Sequence, residues 1–392
     1  MNSSGRSTLT IVFLTVFVDL LGFGIVIPLL PLYAERYHPT PLQFGLLMSS
    51  YSAMQFLFAP LLGRLSDRVG RRPVLLVSLL GNAAGYVVFA FAHSLAALFC
   101  ARIVAGITGA NIGTAQAVIA DVTSDAERAR GMGMVGMAFG LGFVFGPALG
   151  GFAVGLGEAA PGLFACALSL TAFTWALLRL PETRPAGDPG GRRARISLDA
   201  LLATMRRPVL GAILLLALLT TTAFANFEST FSQFLHARFA TTPATVSWLF
   251  VTLGITSALV QGLLVRALVR RLGEPRLLPI GMAVLGAGFV ALAAARTVPL
   301  LLVAIVLMAL GWGLTNPCLG SYLSKRSAAS EQGAALGSMQ AMASLGRIAG
   351  PVWGETVFFR FGPPGPYATG AALQALAVVL AALLLPRENA PR

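Results

Sequence analysis

Stretches of about twenty apolar residues, parted by short polar loops, recur from one end of this 392-residue chain to the other. The hydrocarbon core of a bilayer is about 30 Å thick, which takes roughly 20 helical residues at a 1.5 Å rise. A backbone in hydrocarbon must satisfy its own hydrogen bonds, so segments of this length cross as helices. Composition agrees: 56% of residues are hydrophobic and 11% charged, too little charge to cover the surface of a soluble protein this long. Hydropathy and the Gly/Pro breakers place spans over 8–33, 42–62, 73–93, 95–121, 131–155 and 162–180, then 209–235, 244–265, 277–295, 299–323, 333–358 and 366–385. The expected fold is an all-α membrane protein of twelve transmembrane helices. Pro28 and Pro31 interrupt the first span and no small-residue cleavage site follows it, so it reads as a retained span.

The net charge of +13 would suggest nucleic acid if the arginines formed one stripe. They do not. Of the 28 Lys and Arg, Arg36, Arg238, Arg296 and Arg360 fall on one side of the map, Arg102 and Arg347 fall inside spans, and the rest share the side that holds both termini. The positive-inside rule makes that side the cytoplasm, and the expected location is the cell (inner) membrane. The arginines then orient the chain and touch anionic headgroups, and no nucleic-acid partner is expected. Cys100, Cys166 and Cys318 lie far apart in apolar stretches, which reads as packing and suggests neither disulfides nor a metal. Residues 181–208 form a Gly/Pro/Arg-rich cytoplasmic linker. Within it Leu198, Leu201, Leu202 and Met205 have helical spacing, which fits a short helix on the membrane surface.

The halves on either side of this linker, 1–180 and 209–392, repeat each other. Gly146, Pro147 and Gly150 recur as Gly350, Pro351 and Gly354 at an offset of 204; Asn111 recurs as Asn316; Arg68-Val69-Gly70 recurs as Arg271-Leu272-Gly273. Ordered matches at near-constant spacing predict a duplicated six-helix unit with pseudo-two-fold symmetry, an arrangement in which substrate binds near the midplane between halves.

The loop after the second span reads Gly63-Arg64-Leu65-Ser66-Asp67-Arg68-Val69-Gly70-Arg71-Arg72-Pro73. It packs more arginine around one aspartate than orientation alone requires, and it resembles the signature loop between helices 2 and 3 of the major facilitator superfamily. That resemblance implies a cytoplasmic latch formed by Gly63, Asp67, Arg68, Gly70 and Arg71, with Asp67 meeting the start of helix 11 and Arg71 pairing with Asp121 at the end of helix 4. Gly142, Gly146 and Gly150 stack on one face of the fifth span, where small residues let backbones approach. With Pro147 and Gly151 they resemble a motif of drug-exporting antiporters, which implies efflux.

Charges inside spans are expensive, about 2.5–3.5 kcal/mol at mid-bilayer. Asp19 is the first choice for a proton carrier, with a structural carboxylate as the alternative. Arg102, followed by Gly106, Gly109 and Gly113, resembles the family's helix-4 motif tied to proton coupling; a swinging pair with Asp19 and a permanent ion pair are both open. Glu228, among Asn226, Phe227 and Phe231, suits a cationic amphipathic ligand or proton coupling, or else snorkels to the outer interface. Arg347 serves either to neutralise Glu228 or Glu355 or to attract an anionic substrate group. Gln55, Asn111, Gln116, Gln233 and Asn316 are further cavity candidates, with interhelical hydrogen bonding as the alternative.

Asp19-Leu20-Leu21-Gly22-Phe23-Gly24, Ala59-Pro60-Leu61-Leu62-Gly63 and Gly106-Ile107-Thr108-Gly109-Ala110 resemble the tetracycline-exporter group of drug:proton antiporters. That group carries further aspartates in helices 3 and 9, where this chain has Gly85 and Leu285, which argues against tetracycline itself. The expected function is export of a small amphipathic compound by a proton-coupled antiporter, working as a monomer by alternating access. It needs no cofactor, and a proton gradient supplies the energy. No nucleotide-binding G-x-x-x-x-G-K-[ST] loop occurs, and no nucleophile–base constellation points to an enzyme. A sugar or organic-anion transporter of the same fold is the alternative, and a non-transporting receptor or scaffold is the alternative of another class.

Overall fold

The structure, a computed structural model, describes residues 3–123, 125–183, 198–328 and 331–386. Among them there is no strand. The helices are α1 (Ser3–Val26), α2 (Leu30–Glu35), α3 (Pro41–Val69), α4 (Arg71–Ala90), α5 (Leu95–Thr108), α6 (Ile112–Val122), α7 (Asp125–Val154) and α8 (Ala160–Arg179). They continue as α9 (Leu198–Met205), α10 (Pro208–Phe239), α11 (Pro243–Leu259), α12 (Val265–Leu272), α13 (Glu274–Ala294), α14 (Val298–Arg326), α15 (Gln332–Phe361) and α16 (Gly365–Leu384).

Among the described residues, ten helical stretches are long and apolar enough to cross a membrane. The expected spans 131–155 and 333–358 fall on α7 and α15, each a 30-residue helix, but neither is among the ten. In α15 the glycines and serines, with Arg347 and Glu355, dilute the apolar residues; in α7 the described apolar stretch is Val144–Val154. Outward faces are apolar: Leu383 is 75% exposed, Leu178 73% and Leu263 70%. Water would penalise such surfaces on every helix, whereas lipid does not.

Breaks fall where the backbone demands them. The first expected span stops at Val26 and restarts at Leu30, because Pro28 removes a donor and clashes with the turn before it. Gly70, with φ +100, separates α3 from α4, and Gly273, with φ +74, separates α12 from α13. Positive φ is cheap only for glycine, so the repeated Arg-x-Gly loop is a repeated backbone turn. The fourth expected span is interrupted by a 3-10 turn at Gly109–Asn111, and the eighth by a π-segment at Val260–Leu264.

The chain divides into two compact units. Unit 1 comprises Met1–Pro39, Ser50–Gly190 and Thr242–Val251; unit 2 comprises Thr40–Ser49, Gly191–Thr241 and Thr252–Arg392. The start of α3 thus belongs with unit 2, where Ser49 Oγ donates to the Ile348 carbonyl at 2.6 Å, and the start of α11 belongs with unit 1, where Ser247 abuts Gly151. The core of unit 1 gathers Val12, Val16, Leu75, Leu79, Val118 and Ala176, and that of unit 2 gathers Ile213, Leu278, Met282, Tyr322 and Leu323. Half of the linker, 184–197, lies outside the described residues. Its short helix is α9, with Leu202 and Met205 exposed. Cys166 and Cys318 are buried as packing residues, whereas Cys100 is exposed.

Candidate functional site

In unit 1 the small residues of α7 bring α1 into close approach. A Cβ on Gly146 would lie 2.6 Å from the Gly24 Cα, one on Gly142 2.6 Å from the Leu20 Cβ, and one on Gly150 2.9 Å from the Ile25 carbonyl oxygen. Only glycine fits such contacts, so the motif holds the helix that carries Asp19. Unit 2 repeats the device at an offset of 204: a Cβ on Gly350 would lie 2.6 Å from the Thr222 carbonyl oxygen of α10, and one on Gly346 3.0 Å from the Thr221 Cβ.

Asp19 is 6% exposed. Asn82 Nδ2 of α4 donates to its Oδ1 at 2.7 Å, and Asn111 Nδ2 donates to its Oδ2 at 2.6 Å. The Thr108 hydroxyl engages Asn82 Oδ1 and lies 2.9 Å from the Val104 carbonyl, which fixes the Asn82 amide. Asn111 Oδ1, by contrast, is buried with no hydrogen-bond partner among the described residues. The 3-10 turn at Gly109–Asn111 re-aims Asn111 after a regular helix, and the Gly109 carbonyl is taken by Gln55 Nε2 at 3.0 Å. Gln55 therefore serves the backbone, and Asn111 belongs to the carboxylate site. Arg102 is 4% exposed and lies over the rings of Tyr51, at 4.8 Å, and Phe23, at 5.6 Å. It is not the partner of Asp19: no ion pair or hydrogen bond joins the two among the described residues, and the Asp19 oxygens accept from the two amides. Asn82 and Thr108 were not singled out from sequence; the signal was an asparagine inside an apolar span, one turn before Gly85.

The 63–73 loop gathers its charges around a buried arginine. Arg71 is 2% exposed. Its Nη2 lies 2.6 Å from Asp67 Oδ1, its Nε 3.4 Å from Asp121 Oδ2, and its Nη1 donates to Ser66 Oγ at 2.5 Å. Glu182, a residue not picked out from sequence, accepts from the backbone N–H groups of Arg71 at 2.8 Å and Arg72 at 3.1 Å, where the start of α4 offers unpaired donors. Arg68 is exposed. A Cβ on Gly63 would meet nothing within 4 Å, so space alone does not require that glycine. The equivalent positions of unit 2, at offsets of 203 and 204, are Glu274 and Lys325. They form an ion pair, with Ser321 Oγ donating to Glu274 Oε1 at 2.9 Å; the polarity is reversed.

In unit 2, Glu228 and Arg347 are half-buried and interact electrostatically, and Arg347 Nη2 donates to Ser344 Oγ at 3.1 Å. Phe224, one turn from Glu228, stacks on Trp312 with ring centroids 3.9 Å apart. Gln233 is buried, while Asn316 and, in unit 1, Gln116 are exposed. Glu355 is fully buried.

Buried charges at the ends and middles of apolar helices, with outward faces suited to lipid, define a multi-pass membrane protein. The family model of the Major Facilitator Superfamily matches residues 12–234 and 213–392. The class G tetracycline resistance protein of Vibrio anguillarum is 37% identical over 354 residues, covering 88% of this chain and 89% of that one. Among solved structures, the human organic anion transporter MFSD10 is similar with a TM-score of 0.75 at 28% identity, over 97% of this chain and all of that one. The nucleoside transporter NupG shares the fold, with a TM-score of 0.80 at 15% identity over 97% of this chain and all of that one. The chain belongs to the major facilitator superfamily, a family of membrane transporters and not of enzymes.

Proposed function

We propose that this protein is a proton-coupled antiporter that exports small amphipathic compounds, with Asp19 as its proton carrier. In this reading twelve spans form two six-helix bundles, 1–180 and 209–392, joined by the 181–208 linker and related by pseudo-two-fold symmetry. They alternate access as a monomer in the inner membrane, with both termini cytoplasmic. The observation that carries the reading is the buried Asp19 carboxylate between two amides of unequal freedom. Protonation of Oδ2 turns an acceptor into a donor. Asn111 can answer by rotating its unused Oδ1 into place, whereas Asn82 is held by Thr108. Loading a proton then reorients Asn111 at the 3-10 turn of the fourth span and so links protonation to helix geometry.

The 63–73 cluster serves as the cytoplasmic latch, and Glu228 with Arg347, Gln116, Gln233 and Asn316 belongs to substrate recognition or coupling. The likeness to a tetracycline resistance protein makes tetracycline the first compound to assay, although positions 85 and 285 lack acids. The test is transport in proteoliposomes with an imposed pH gradient. Asp19→Asn is expected to abolish gradient-driven transport while sparing substrate binding; intact driven transport in that variant removes Asp19 from coupling. A second reading, exchange of organic anions, is favoured by the 28% identical organic anion transporter, and transport driven by a trans-anion gradient without a pH gradient would select it.

A further inference from the structure

Arg102 is a buried cation with nothing of opposite sign bound to it. Among the described residues it forms no ion pair and donates no hydrogen bond, and its Nε is buried without an acceptor. The rings of Tyr51 and Phe23 flank the guanidinium, and aromatic faces offset only a fraction of the penalty for stripping water from a cation. Asp19 does not supply the missing charge: among the described residues no ion pair joins it to Arg102, and its oxygens accept instead from the neutral amides of Asn82 and Asn111. Unit 2 has no counterpart: the positions 203 and 204 residues on are Ile305 and Val306. Buried donors normally find acceptors, and a planar guanidinium presents a fork that a carboxylate fills with two parallel bonds.

We propose that Arg102 is an anion-binding site that takes the carboxylate of a small amphipathic molecule, with the apolar body of the ligand against the rings of Phe23 and Tyr51. The inference rests on the transport reading only for the ligand being cargo. The shared chemistry is a singly charged anion, and the alternative source of that charge is chloride.

The test uses the full chain in lipid nanodiscs without any gradient, following thermal midpoint and intrinsic tryptophan fluorescence. Titrants are sodium benzoate, its neutral isostere benzamide, and sodium chloride at constant ionic strength. Benzoate is expected to stabilise the protein saturably and benzamide not at all. Arg102→Gln should weaken benzoate binding by about thirtyfold or more, and Arg102→Lys, which keeps the charge and loses the fork, should fall between. Circular dichroism and size exclusion establish that each variant is folded, and Arg102→Lys keeps the test valid if Arg102→Gln does not fold. Arg102-dependent binding of chloride that benzoate does not displace overturns the carboxylate assignment. Absence of any saturable anion effect, or an equal effect in Arg102→Gln, overturns the site. A protein that fails to use a pH gradient in liposomes yet binds benzoate through Arg102 would refute the proton-coupling reading and leave this one standing.

Discussion

The division of labour around Asp19 is set by which amide has a spare atom. Asn82 uses both ends, donating to Asp19 and accepting from Thr108, whereas Asn111 keeps Oδ1 unused. Leaving a buried carboxylate oxygen without its donor costs about 1–3 kcal/mol, and under the proposed coupling Asn111→Leu would also remove the acceptor for a proton on Asp19. Gradient-driven transport in proteoliposomes should therefore drop by about tenfold or more in Asn111→Leu. Thr108→Val should lose less, because it loosens Asn82 without removing a partner of the carboxylate; equal losses in the two would mean that Asn111 has no special role. Of this cluster, Asp19 and Asn111 were legible in sequence as costly polar residues inside spans. Asn82 was not, because an asparagine in an apolar span serves interhelical hydrogen bonding as readily as a site, and only the packing of α4 against its neighbours tells which face of that helix meets Asp19.

At the scale of helices, glycines set how closely elements approach, and the structure separates those that matter from those that do not. Gly146→Val should lower the thermal midpoint, with an overpacking penalty of about 1–3 kcal/mol, because the Gly24 Cα lies 2.6 Å from where the first added carbon must sit. Gly113→Ala adds a Cβ into open space and should be neutral or slightly stabilising; a midpoint that falls equally in both would dissociate stability from the α1–α7 contact. Helix ends give a separate prediction for pH. Arg207 of the segment before α10 pairs with Glu331 at the start of α15, with Nη1–Oε2 at 2.5 Å and Nη2–Oε1 at 3.0 Å, and the guanidinium holds the Glu331 carboxyl below its ordinary value. A lowered folded-state value contributes stability that is present above the unfolded value, about 4.3, and lost as pH falls through the folded one. The acid limb of the thermal midpoint should therefore flatten in Glu331→Gln, by a small amount because the pair is exposed. Ten of the twelve expected span positions, read from hydropathy and Gly/Pro punctuation alone, coincide with helices long and apolar enough to cross a membrane, and the 131–155 and 333–358 segments are helices in spite of their glycine and charge. The cross-grouping of residues 40–49 and 242–251 was not readable, since it depends on contacts such as Ser49 with Ile348 that no local pattern announces.

Over the whole molecule, the repeat conserves packing while its chemistry diverges. The glycine ladders of α7 and α15 match at an offset of 204, and their partners Leu21 and Gly24 on α1 answer to Thr222 and Ala225 on α10, an offset of 201. The same offset sets Asp19 against Thr220, which is 1% exposed and has no hydrogen-bond partner among the described residues for its hydroxyl. Position 285, where Asn82 would recur, is a fully buried leucine against Gly311. A carboxylate moved to unit 2 would thus lack its fixed amide. Asp19→Asn combined with Thr220→Asp is expected to remain inactive in gradient-driven transport, and recovery in that double variant would show that either unit can carry the proton. The helix-end ion pairs diverge differently, since Arg71–Asp121 answers to Glu274–Lys325 with its signs exchanged. If the pair serves only to tie helix ends together, its polarity is immaterial. Glu274→Lys with Lys325→Glu should then restore most of the transport and thermal stability that Glu274→Lys alone loses, because the single change places two cations together at a site where Glu274 is 4% exposed. A double variant no better than the single one would mean that the carboxylate is needed at the start of α13 itself, where the helix N-terminus favours an anion.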